Sequence, residues 1–121
     1  MWKISTSLAL IFSAVPAMAQ TVTTDSLKKY AECIAATHMV VADQQIRGNF
    51  DLQKKWAQLS SMLMDKFYND LAIYAKGNIE ISKEYGRWPN IEVARYASMT
   101  DLAQARYVQQ VLETNRCLDI R

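Results

Sequence analysis

Apolar residues recur at spacings of three and four along most of the chain after residue 24, without sustained alternation of apolar and polar positions, so the pattern predicts helices rather than strands. The first stripe runs through Leu27, Tyr30, Ile34, Thr37 and Val41. Its helix is expected to begin near Asp25, whose side chain can accept from the free amides of a first turn. It should stop at Gly48, with Arg47 placed where a cation suits a helix C-terminus. A second stripe of Leu52, Trp56, Leu59, Leu63, Phe67, Leu71 and Tyr74 predicts a helix from Phe50, with Asn49 as a candidate cap. Asp51 and Lys55 lie one turn apart on its outer face.

Asn78, Ile81 and Tyr85 carry that stripe on through Gly77. An unbroken helix to Tyr85 would measure about 54 Å, long for so small a domain, and a Gly followed by Asn is a common terminator. A kink or short break at Gly77 is therefore expected. Gly86-Arg87-Trp88-Pro89 ends the segment, and Asn90 is read as the cap of a last helix striped with Ile91, Ala94, Leu102, Ala105, Val108 and Leu112. The expected fold is all-α: a small antiparallel bundle of three long helices, or four if the break at Gly77 is real.

Residues 1–19 have the form of a secretory signal peptide, with Lys3, an apolar run from Leu8 to Ala17, and Ala17-Met18-Ala19 ahead of Gln20. The run is too short to span a bilayer, and no later stretch is long enough without charge, so a periplasmic or secreted chain without membrane insertion is expected after cleavage. Residues 20–121 then form a single domain. Cleavage removes Lys3 as the one charged residue, leaving thirteen basic against twelve acidic side chains. That balance gives no electrostatic footprint for nucleic acid.

Cys33 and Cys117 both lie beyond the cleavage site, and an even pair in an exported chain predicts a disulfide. Straight antiparallel helices would set the two at levels about 9 Å apart, beyond the reach of the bond. The pairing therefore requires a break at Gly77, helix tilt, or a non-helical tail after Arg116.

Candidate chemistry is sparse, and no cofactor is implied. His38 is the sole histidine, so neither a His-rich zinc site nor paired Glu-x-x-His motifs can be assembled; it is read as a core-edge side chain between Ile34 and Val41. Met62 and Met64 point in different directions on a helix, one toward the core and the other partly exposed. Glu80 and Glu84 are flanked by Lys76 and Lys83 and read as a solvated face; Ser60-Ser61 has no base at a recognisable spacing. Tyr85, Arg87 and Trp88 fall within four residues at a turn and are the types enriched at interface hot spots. They form either a recognition loop or a plug in which Trp88 folds over the bundle end and Arg87 stays in water.

Tyr30-Ala31-Glu32-Cys33-Ile34 and Cys117-Leu118-Asp119 resemble the cysteine neighbourhoods of small exported helical immunity proteins that block type VI secretion amidases. The likeness covers fewer than ten residues and assigns no residue a role. Together these features suggest an exported, non-catalytic protein-binding module, an immunity protein or an inhibitor of an envelope enzyme. A periplasmic stress chaperone is the alternative, and an enzyme or metal carrier is disfavoured by the residue inventory. The exported protein should begin at Gln20, and mass spectrometry without reduction should show the loss of two hydrogens that one disulfide entails. Two free thiols in exported material would refute the pairing.

Overall fold

The structure, a computed structural model, describes residues 21–120; the signal peptide read at residues 1–19 and its cleavage before Gln20 lie outside them. The described residues form α1 (Thr24–Arg47), α2 (Phe50–Ala75), α3 (Ile79–Gly86), α4 (Trp88–Ala97), α5 (Asp101–Thr114) and one 3-10 turn, η1 (Cys117–Asp119), with no strand among them. The all-α, disulfide-stapled bundle expected from the hydrophobic pattern is the fold. Its parts begin and end in ways the pattern only partly foretold.

Helix α1 starts just before Asp25, behind a reciprocal cap. Thr23 Oγ1 accepts from the Ser26 amide at 3.1 Å, while Ser26 Oγ accepts from the Thr23 amide at 3.0 Å. Asp25 instead lies in the first turn, where its charge suits the helix N-terminus. Gly48 ends α1 at φ 76°, a left-handed conformation that glycine reaches without Cβ strain. Asn49 occupies the position before α2 but does not cap it; its side-chain amide donates to Gln44 Oε1 at 2.9 Å. No Asp51–Lys55 ion pair forms, and α2 carries Lys66–Asp70 at 3.6 Å instead.

The break at Gly77 is real. Lys76 and Gly77 both take left-handed conformations, at φ 51° and 84°, and Asn78 Oδ1 then caps α3 by accepting from the Ile81 amide at 3.1 Å. The reversal lays α3 back along the end of α2. There Tyr68 donates its hydroxyl to the Gly86 carbonyl at 3.3 Å, and the rings of Tyr74 and Tyr85 meet edge-on at 5.7 Å.

The last helix departs most from expectation. Only Arg87 separates α3 from α4, which begins at Trp88 with Pro89 in its first turn, where a missing N–H leaves no hydrogen bond unmade. Asn90 is therefore inside α4 and not its cap. The chain breaks again after Ala97, and Thr100 Oγ1 accepts from the Ala103 amide at 3.4 Å to start α5. This second break resets the helical phase. Of the expected stripe, Val108 is buried and Leu112 half-buried, but Ile91, Ala94, Leu102 and Ala105 are exposed; Pro89, Tyr96 and Val111 are buried in their place.

Helix α1 occupies the centre. Five successive residues, Cys33 to Thr37, are buried, so no side of the helix is open to water there, and α2, α4 and α5 all pack against it. Small side chains at Ala31, Ala35 and Ala36 let those neighbours approach closely. The Thr37 hydroxyl is accommodated in the dry interior by donating back to the carbonyls of Cys33 and Ile34, both at 2.9 Å. His38, read as a core-edge residue, is exposed, because the enclosure ends at Thr37. Met62 and Met64 are both exposed, since α1 covers only the Leu59, Leu63 and Phe67 side of α2.

Cys33 and Cys117 are bonded, with 5.5 Å between their Cα atoms. The levels match because α5 lies on α1, and because Arg116, left-handed at φ 52°, turns the chain out of α5 into η1. The non-helical tail was thus one of the features that the pairing required. Asn115 pins the same corner by donating to Glu32 Oε1 at 2.9 Å. Replacing both cysteines with alanine should lower unfolding free energy by about 2 to 4 kcal/mol while leaving far-ultraviolet dichroism helical, as chemical denaturation would measure.

Candidate partner-binding surface

The joint between α3 and α4 carries the three residues singled out in the sequence, and it divides them. Tyr85, in the last turn of α3, is half-buried, and its ring meets that of Trp88 at 4.4 Å, tilted by 69°. Its phenol is held above the ordinary tyrosine value by desolvation first, then by the neighbouring Tyr74 and Glu84. Arg87 turns away into solvent, at the edge of an open polar depression shared with Glu80, Lys83 and Glu84. Tyr85 and Trp88 therefore act together, and Arg87 stands apart.

Trp88 is half-buried. One side of the residue packs on the Tyr85 ring. It also lines a recess of about 320 Å³ between α1 and α4, together with Lys28, Ala31, Ile91 and Glu92. Ala31 is fully buried, whereas Ile91 is 53% exposed. The recess is hidden in the sequence while Asn90 is taken as the cap of the last helix; with the helix beginning at Trp88, the spacing of Trp88, Ile91 and Glu92 places all three on one face.

The charges at the recess are unequal. Glu92 is engaged by Arg95, whose guanidinium donates to Glu92 Oε1 at 2.9 Å, and this bond is the main cause that holds the Arg95 pKa above its ordinary value. Lys28 is exposed and makes no ion pair among the described residues. The recess thus joins apolar walls to one uncompensated cation. Arg95 also donates to the Tyr107 hydroxyl and lies over the Tyr107 ring, which stacks on Tyr96 at 5.0 Å. That stack ties α4 to α5 behind the recess.

Among the described residues, no three His, Cys, Asp or Glu side chains gather closely enough to hold a metal ion, and no helix is long and apolar enough to cross a membrane. Ser60 is buried and Ser61 exposed, while Glu80 and Glu84 are both exposed. No family model, curated protein or solved structure matches the chain.

Tyr96 is fully buried and its hydroxyl has no hydrogen-bond partner among the described residues; desolvation raises its pKa strongly, with Tyr107, Glu92 and Glu32 adding to the effect. A raised folded-state value means that the unfolded chain releases its proton first. Stability from this group is complete below about pH 10 and declines as the pH climbs above that ordinary tyrosine value. Tyr96→Phe should therefore keep or raise the melting temperature at neutral pH, and thermal scans between neutral and strongly alkaline pH should show a shallower alkaline decline than in the parent.

Proposed function

We propose that the chain is an exported, non-catalytic protein-binding module of the immunity or inhibitor kind, which seats an apolar side chain of an envelope partner in the recess beside Trp88. The observation that supports this most directly is the pairing of an exposed apolar wall, Ile91, with a half-buried tryptophan above a buried alanine floor. Tryptophan at the edge of a desolvating pocket is a common source of binding energy. Lys28 at the rim favours a partner segment with a carboxylate next to its apolar anchor.

Rigidity strengthens the reading. Cys33 lies two residues beyond Ala31 on α1, so the disulfide anchors the helix that supplies the floor of the recess before a partner arrives, which lowers the ordering cost of association. The near balance of acidic and basic residues suits selective protein contact better than general attraction to polyanions.

The test is affinity capture from envelope extracts with the disulfide-bonded protein, followed by titration of the captured partner with recess variants. Ile91→Glu removes an exposed side chain and should leave the helical spectrum unchanged, yet weaken binding by about 2 kcal/mol or more, roughly thirtyfold. Trp88→Ala should weaken it at least as much, and Arg87→Ala should have a smaller effect. Undiminished binding by both recess variants would place the interface elsewhere.

A further inference from the structure

Helix α2 has a second face that the bundle leaves uncovered. Phe50, Lys54, Ala57, Ser61, Met64 and Tyr68 recur at alternating intervals of four and three, which sets them along one side of the helix, away from the Leu59, Leu63 and Phe67 side that meets α1. All six are exposed, and Phe50 and Tyr68 remain 66% and 47% accessible. The strip lies on the outside of α2, whereas the recess beside Trp88 lies between α1 and α4.

The order of residues along the strip is self-complementary. When two copies of α2 are laid antiparallel about a two-fold axis near residue 59, Phe50 faces the second copy's Tyr68, Lys54 faces Met64 beside Asp65, and Ala57 faces Ser61. The symmetry makes each pairing occur twice. Aromatic rings thus meet at both ends, opposite charges meet inside them, and the smallest side chains lie at the centre, where the backbones come closest. Among the described residues, Lys54 and Asp65 form no ion pair, so both are open to a partner. The Tyr68 hydroxyl is already tied to the Gly86 carbonyl, which orients its ring before association.

We infer that the outer face of α2 is a homodimer interface in which two copies of this chain pack antiparallel through Phe50, Ala57, Ser61 and Tyr68, with Lys54 set against Asp65 of the second copy. A different protein could meet the apolar residues, but it would have no reason to match the reversed order of charge and size. Dimerisation does not require the recess to be occupied, so the two proposals stand or fall separately.

The test is sedimentation equilibrium of the disulfide-bonded chain from Gln20 onward, with circular dichroism run in parallel to verify folding. The parent should dimerise, and Lys54→Glu or Asp65→Lys alone should weaken the dimer at least about tenfold by opposing like charges at two symmetric points. Combining Lys54→Glu with Asp65→Lys should restore dimerisation to within a few fold of the parent, a recovery that generic damage to the fold would not produce. Ala57→Arg, placing a bulky cation near the axis, should abolish it while the monomer stays helical. A parent that is monomeric up to about 200 µM, a binding free energy weaker than about 5 kcal/mol, would overturn the inference. So would single variants that dimerise as the parent does, or a double variant that fails to recover.

Discussion

The enclosure of α1 between Ala31 and Thr37 is the constraint from which the rest of the architecture follows. A helix buried on all sides must be met by neighbours around its circumference, and α2, α4 and α5 supply them. Close packing there is possible because Ala31, Ala35 and Ala36 add little volume, and because the one hydroxyl in the enclosed turn, that of Thr37, bonds to its own helix. The Cys33–Cys117 bond reaches into the same segment and ties the end of the chain to its centre. A domain of this size buries only a modest apolar core, so a covalent tie at the most enclosed helix acts where the packing already converges.

The enclosure is also uneven along the helix. Beyond Thr37, α1 and the opening half of α2 form a hairpin in which no residue from His38 to Leu59 is buried. The short helices α4 and α5 cover only the earlier part of α1, and α3 covers only the far end of α2. What remains open is therefore a consequence of helix length: two helices of about 36 and 39 Å are served by partners of less than half or little more than half that span. Exposed apolar residues such as Ile46, Phe50 and Leu52 gather on this uncovered part, where the chain has side chains to bury and no element of its own to bury them against.

The two candidate surfaces draw on different parts of this plan. The recess beside Trp88 depends on tertiary packing, because its floor belongs to α1 and its walls to α4. The outer face of α2 depends on one helix alone and was written in its spacing. The first is held rigid by the disulfide and by the stack of Arg95, Tyr107 and Tyr96 behind it; the second is supported by the pairing of α2 with α1.

Helix as the element type of the described residues, the stops at Gly48 and Gly77, the buried stripe through Leu63, Phe67 and Leu71, and the pairing of the cysteines were all legible from residue order. Each rests on a local cause: a period of three to four, a glycine free to adopt positive φ, or a cysteine count. The start of α4 at Trp88 and the break after Ala97 were not legible, because Pro is as compatible with a first helical turn as with a stop, and Ser98-Met99-Thr100 carries no glycine to announce a turn. Those two boundaries decided the phase of the last helices, and with it the exposure of Ile91 and the burial of Tyr96. The sequence by itself determined where the chain must coil and where it can turn. Which helix became the enclosed one, and which apolar residues were left to face outward, was decided by tertiary packing, because burial depends on what another segment brings alongside and no local period records that.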